Sequence, residues 1–258
     1  MVKILGISGK KQSGKNTTAN YINGKILVEN SLVRDFYIDD TGQLAVLTSN
    51  KTGVEDYGIL DVTRKDSEFS SYADSELWPF VKLYSFADGL KSICRNFFGL
   101  TQAQVYGTDE QKNTKTKVKW EDTPTWQNSS LNKNRGYMTA RELMQYFGTD
   151  IMRKMYSPVH IEHTISQIKS EQTELAIIPD VRFPNEVKAV QEAGGKVVRL
   201  TRDKHEDSHT SECGLDPENF NWENFDLIIN NDEDDAQKSL IPAVEEMYNT
   251  LIRTGELC

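Results

Sequence analysis

The chain has 258 residues, 37% hydrophobic and 27% charged, with a formal net charge of −9. That acidity argues against broad binding to nucleic-acid backbones, which needs a basic face, and no apolar run approaches the roughly 20 residues of a membrane span. The length suits one α/β domain with insertions, or a domain plus a small lobe. Three cysteines, Cys94, Cys213 and Cys258, are far apart and odd in number, which fits a reducing cytoplasm rather than a disulfide framework. The N-terminal apolar run is too short for a signal peptide.

That run, Ile4-Leu5-Gly6-Ile7, leads into Gly9-Lys10-Lys11-Gln12-Ser13-Gly14-Lys15, and a polar segment that starts a helix follows. Strand, glycine-rich loop and helix in that order are the context of a P-loop. Gly9 and Gly14 permit a tight loop whose backbone N–H groups can face phosphate oxygens. The helix N-terminus adds a partial positive charge, and Lys15 adds a full one. A plain glycine turn with two solvated lysines is the weaker reading, because strand, spacing and lysine agree. Asn16 stands where Ser or Thr normally holds Mg²⁺, and Thr17 and Thr18 follow at once.

Residues 3–8 read as the first strand and 16–28 as the first helix, with Ala19, Ile22 and Ile26 near helical spacing. Two strand-like runs, 35–38 and 44–47, flank the turn 39–43 and predict a hairpin inserted within about 31–62. Residues 49–75 are polar and define no element. Residues 81–86 read as a core strand, and Asp88 is placed to cap a helix running to about Phe98. The polar stretch 101–136 reads as one long loop, with Lys112, Lys115, Lys117 and Lys119 solvated on it. Thr139 caps a helix whose Leu143, Phe147 and Ile151 fall four apart. A further helix over 159–169 puts His160 and His163 on its surface.

Residues 175–178 read as a short buried strand that stops at Pro179, with a helix over 185–193 ended by Gly194-Gly195. Residues 196–200 and 226–229 are strands, separated by a polar segment. The last helix carries Leu240, Val244, Met247 and Leu251 on one stripe. Strands alternating with helices predict a parallel sheet wound by helices on both faces, with ligands at the carboxyl ends of the strands.

Phosphoryl transfer needs positive charge around the moving group, so arginines at strand ends stand out. Arg182 lies two residues past Asp180, Arg202 ends the strand that starts at Lys196, and Arg141 lies in the first turn of the helix capped by Thr139. Each alone is equally a surface arginine; together with a P-loop they point to phosphate. A cation near a helix N-terminus is mildly unfavourable, and an anionic ligand would repair Arg141's position. Asp180, at the end of an apolar strand, is where P-loop enzymes place an acid near Mg²⁺ or its waters. His205, His209 and Cys213 recur every fourth residue, but the spacing matches no zinc-finger pattern and zinc is set aside.

Several pieces in order resemble the bacteriophage deoxynucleoside monophosphate kinases, which are P-loop nucleoside monophosphate kinases. They are Ser8-Gly9-Lys10 with Ser13 to Thr18, and Phe86-Ala87-Asp88 with Leu90-Lys91. Next come Arg141 with Leu143-Met144-Gln145 and Gly148-Thr149-Asp150, then Pro179-Asp180-Val181-Arg182 with Glu186. The last are Arg202, His209 with Ser211-Glu212 and Gly214-Leu215, and Asp226 to Asn230. The family often has Asp at the position of Asn16. The inserted hairpin and the 101–136 stretch match it poorly.

The resemblance implies an α/β P-loop kinase fold: a five-stranded parallel sheet with helices on both faces, plus the inserted β-hairpin, a substrate-binding lobe and a lid. It places one kinase domain over 1–258, the acceptor lobe at about 88–150 and the lid at about 202–221. The activity it implies is ATP-dependent phosphorylation of deoxynucleoside 5′-monophosphates to diphosphates. Gly9, Ser13, Gly14, Lys15, Asn16 and Thr17 would bind ATP. Asp88, Lys91, Arg141, Gln145, Arg182, Glu186, His209 and Glu212 would bind the acceptor. Lys15, Asp180, Arg182 and Arg202 would serve catalysis, and Thr17 and Asp180 would meet Mg²⁺ through water. The partners it implies are small nucleotides, with no nucleic acid and no membrane, in a cytoplasm that is a host's if the origin is a phage; a homodimer stays open. Two alternatives remain: another small-molecule P-loop kinase of phosphomevalonate or dephospho-coenzyme A type, and a nucleotide-binding regulator without transfer activity.

Overall fold

The first strand, β1 (Lys3–Ser8), is buried from Ile4 to Ser8. A strand covered on both faces shows a continuous apolar run rather than an alternation, and β1 is the middle strand of a parallel sheet. The computed structural model of the chain describes residues 2–49, 53–127, 134–203, 213–232 and 238–254. After β1 come α1 (Lys15–Glu29), β2 (Phe36–Ile38), β3 (Leu44–Ser49), β4 (Glu55–Ile59), α2 (Ser67–Glu76) and β5 (Val81–Leu83). Then follow α3 (Asp88–Phe98), α4 (Gln102–Tyr106), α5 (Asp109–Lys112), β6 (Lys115–Lys119), α6 (Pro124–Gln127), β7 (Tyr137–Thr139) and α7 (Ala140–Gln145). The chain continues through α8 (Val159–Glu171), β8 (Leu175–Val181), α9 (Pro184–Glu192), β9 (Lys196–Leu200), β10 (Leu227–Ile229) and α10 (Leu240–Met247).

Two compact units form, Met1–Ser85 with Ile165–Cys258, and Phe86–Thr164. In the first, the five parallel strands stand in the order β10-β9-β1-β8-β5, as the alternation of strands and helices predicts. Leu5, Ile7, Ile177 and Val198 share one core with Ile22 and Ile26 of α1 and Leu240 and Val244 of α10. Their sheet neighbours Ile4, Ile178 and Val197 are equally buried, and α9 packs on β1 and β9. The sheet is therefore covered on both faces. Among the described residues, no helix is long and apolar enough to cross a membrane.

Several expectations change. The inserted hairpin is a three-stranded antiparallel sheet, β2-β3-β4, in which Leu47 pairs with Tyr57. β4 is almost wholly exposed and shows no apolar alternation. The polar stretch before residue 75 also holds α2, capped by the Asp66 carboxylate accepting from the Phe69 N–H at 3.0 Å. β8 does not stop at Pro179 but runs to Val181. Gly6 pairs with Ile178 and Ser8 with Val181, so β8 inserts an extra residue there. Proline lacks the N–H that an even ladder needs, and a bulge absorbs it.

In the second unit, Cys94, Leu100, Val105, Met138 and Leu143 form a separate core. The 101–136 stretch, expected as a loop, carries α4, α5, β6 and α6 among its described residues. α4 and α5 each open with a capping box, Thr101 with Gln104 and Thr108 with Gln111. Lys115, Lys117 and Lys119 alternate with Thr116 and Val118 along β6, whose lysines point to solvent. Thr139 caps α7 as expected, in a reciprocal box with Glu142 at 3.1 and 2.7 Å. The helix then widens into π-helical turns over Tyr146–Arg153. Asp88 is not the cap of α3 but its first residue, after Ala87. His160 is buried, with Nε2 3.3 Å from the Gly148 carbonyl, and that burial pushes its pKa down against the pull of the carbonyl. His163 is exposed, as expected.

Candidate active site

The loop at the carboxyl end of β1 is tightly folded. Gln12 and Gly14 both take positive φ, 60° and 98°. A side chain at Gly14 would lie 2.5 Å from Leu240, and one at Gly9 would lie 2.3 Å from Ser13 Oγ. Only glycine fits either position without displacing a neighbour. The first N–H groups of α1 open onto this loop without helical acceptors. Ser13 Oγ is buried and makes no hydrogen bond. A buried hydroxyl left unpaired in a glycine cradle at a helix N-terminus is the environment a phosphate oxygen satisfies.

Lys15 begins α1 and curls over the loop, donating to the Gly9 carbonyl at 2.6 Å and to the Lys10 carbonyl at 2.8 Å. Its Nζ is 3.8 Å from Asp180 Oδ1. The other Asp180 oxygen accepts from Arg182 Nε at 2.7 Å. Asp180 Oδ1 is buried and accepts no hydrogen bond. A carboxylate oxygen beside the lysine of a glycine loop is a fitting ligand for a hard divalent cation, directly or through water. Among the described residues, no group of three His, Cys, Asp or Glu could hold a metal alone. Mg²⁺ would then depend on phosphates and water for its other ligands.

Asn16 is exposed, and Thr17 lies half-buried one residue on. Glu186 is buried, and its carboxylate accepts from the Arg182 and Phe183 N–H groups at 2.8 and 3.2 Å, ahead of α9. In the second unit, Lys91 Nζ is 3.9 Å from Asp88 Oδ1 and sits over the Tyr106 ring. Arg141 donates to Asp109 at 2.5 Å, so a carboxylate answers the charge that the first turn of α7 disfavours. Gln145 is exposed at the end of α7. His205, His209 and Glu212, with residues 204–212 of the expected lid, lie outside the described residues.

Three features were not anticipated from the sequence. Lys10 pairs with Asp216 at 2.7 Å; burial works against its charge, but the Asp216 hydrogen bond and charge together carry its pKa above the ordinary lysine value. Arg199 on β9 is buried, donates to Ser8 Oγ at 3.0 Å and stacks on Trp222. Asn231 is the third. Its Nδ2 donates to the Ser13 carbonyl at 2.7 Å and its Oδ1 accepts from the Arg202 N–H at 3.0 Å. One buried amide thus ties the glycine loop to the backbone of Arg202. Its only signal in the sequence is a position just past the last strand.

Asn231→Ala should remove both hydrogen bonds, one of them buried, costing about 1–3 kcal/mol and lowering Tm by several degrees. Asn231→Asp keeps the acceptor but sets a carboxylate against the Ser13 carbonyl, and should melt lower still at neutral pH. Thermal melts of both variants check this; wild-type Tm values would mean the amide holds nothing.

A glycine loop at the end of the central parallel strand, capped by a lysine and faced by a carboxylate, defines a P-loop kinase fold. The sequence model of the family described as deoxynucleotide monophosphate kinase matches residues 3–239, and the chain belongs to that family. It is also similar to the "Putative deoxynucleotide monophosphate kinase" of Acanthamoeba polyphaga mimivirus, 27% identical over 182 residues, which are 65% of this chain and 79% of that protein.

Proposed function

We propose that the protein transfers the γ-phosphoryl group of ATP to deoxynucleoside 5′-monophosphates, giving the diphosphates. The observation that carries this reading is the Lys15–Asp180 pair at the glycine loop, in a chain of this kinase family. Lys15, now on two loop carbonyls, would exchange them for donor phosphate oxygens. The loop N–H groups and Ser13 Oγ would hold the same phosphates. Bound Mg²⁺ would neutralise phosphate charge, with Asp180 and Thr17 meeting it through water. Arg182, whose Nε donates to Asp180, would lie beside the transferred group. Arg202 would face the charge that develops during transfer. In the second unit, Arg141 and Gln145 on α7, with Asp88 and Lys91 on α3, would serve the acceptor, whose phosphate competes with Asp109 for the guanidinium. Rate would come from positioning and electrostatics, without a covalent intermediate.

A coupled ADP-release assay over a panel of ribo- and deoxynucleoside monophosphates tests this. Transfer to deoxynucleoside monophosphates supports it. Transfer only to phosphomevalonate or dephospho-coenzyme A, or ATP binding without any transfer, would replace it. Asn16, with a neutral amide in place of a carboxylate or hydroxyl, is a weak Mg²⁺ ligand. Asn16→Ala should therefore cost about tenfold in rate, near 1.4 kcal/mol. Titrating Mg²⁺ against initial rate checks this; a loss beyond about a thousandfold would make Asn16 a direct ligand.

A further inference from the structure

Lys10, in the glycine loop, is held at both ends. Its backbone carbonyl accepts from Lys15 Nζ at 2.8 Å and from the Ser13 N–H at 3.2 Å. Its side chain runs to Asp216, with Nζ 2.7 Å from Oδ2. The carbonyl is thus one of the two on which Lys15 rests, and it closes the turn that carries Ser13. Lys10 is only 9% exposed, so its side chain is a tie between two segments rather than a solvated arm.

The far end of the tie is itself fixed. The Asp216 carbonyl accepts from the N–H groups of Asn219 and Phe220 at 2.8 and 2.9 Å, and its own N–H donates to the Cys213 carbonyl at 3.2 Å. At Gly214 a Cβ would lie 2.8 Å from the Arg182 carbonyl oxygen, so only glycine lets these two backbones approach. The other carboxylate oxygen of Asp216 lies 3.8 Å from Arg199 Nη2. Arg199 is buried on β9, beside Ser8 of β1, and donates to Ser8 Oγ at 3.0 Å. It stacks on Trp222, whose indole N–H donates to the Leu215 carbonyl at 2.8 Å.

Asp216 therefore stands between two cations, one on the loop and one on the neighbouring strand. Without the carboxylate, two largely buried cations would face each other with no counter-charge. Arg199 is locked in the sheet, so the loop would be the part that gives way.

We infer that Asp216 is a positioning residue for the donor site: through Lys10 it holds the glycine loop in the shape that receives phosphate oxygens. The inference rests on the kinase reading above for the identity of the donor. A loop ordered in advance loses less entropy when ATP binds, so the tie acts on donor affinity. Seated phosphates then order the loop themselves, and kcat depends little on the tie.

The test measures binding of ATP with Mg²⁺ by calorimetry, without acceptor, beside steady-state kinetics and a thermal melt. The whole protein is compared with Asp216→Asn, Lys10→Met and the double variant. Each single substitution should raise Kd and KM for ATP by about fivefold or more, with kcat and the KM for the monophosphate within about twofold. The double variant should bind ATP no worse than the weaker single variant, because Asp216 acts through Lys10. Lys10→Met leaves Asp216 paired with Arg199, so this variant decides the question if Asp216→Asn fails to fold. A lower Tm with unchanged Kd overturns the inference, because the pair would then only stabilise the fold. Additive losses overturn it too, since the two residues would act separately. So does tighter ATP binding by Asp216→Asn, which would make the carboxylate a competitor of the phosphates for Lys10. The expected shifts in Kd, in a protein that transfers to no monophosphate, keep the tie and end the kinase reading. Transfer with Kd unshifted in the variants ends the tie and leaves the kinase reading intact. Wild type that binds no ATP ends both.

Discussion

Lys15→Met is expected to lower kcat by about a thousandfold or more, which is ~4 kcal/mol at the transition state, while the protein stays folded. The side chain leans on two backbone carbonyls of its own loop and lies 3.8 Å from Asp180, outside the main hydrophobic core. Methionine keeps the length and the apolar stem but removes the charge and both donated hydrogen bonds. The loop keeps its shape through Gly9, Gly14 and the Asn231 contact to Ser13. Structural damage should therefore be small beside the catalytic loss. Initial rates paired with a thermal melt separate the two. Near-normal turnover in a folded Lys15→Met protein would sink the assignment of the loop as the donor-phosphate site.

Arg202→Ala is expected to reduce kcat by about 10³-fold with little change in KM for ATP. A cation that acts as charge develops stabilises the transition state more than the bound substrates, so its removal appears in kcat. The backbone of Arg202 is fixed by Asn231 through its N–H, a bond that alanine keeps. The substitution thus removes the guanidinium and spares the anchor. Steady-state kinetics in ATP at saturating acceptor give the answer. A rise in KM alone would make Arg202 a ground-state binding residue.

Local chemistry made much of the framework legible. The parallel strands are buried on both faces, so β1, β8 and β9 announce themselves as apolar runs. The glycine loop has to follow the first of them. The Thr139 box closes within three residues, and the same is true of Thr101 with Gln104 and Thr108 with Gln111, signals present in the sequence but read as loop. β4 gave no signal, because an exposed strand carries no hydrophobic period. Pro179 pointed the wrong way, because a bulge can carry a proline through a strand that local rules would end.

The amino-acid sequence by itself determined the fold class and the glycine loop after the first strand, because both rest on periods and spacings of a few residues. Tertiary structure alone decided the partners of the charged groups. Lys10 meets Asp216 across 206 positions, Asn231 reaches Ser13 across 218, and Asp180 comes to Lys15 because β8 lies beside β1. Arg141 finds Asp109, and His160 is buried where its helix position suggested solvent. The reason is physical: caps and strand patterns are satisfied within a turn or a pleat, whereas an ion pair or a buried amide needs two distant segments that only the sheet order and the packing of the core bring together.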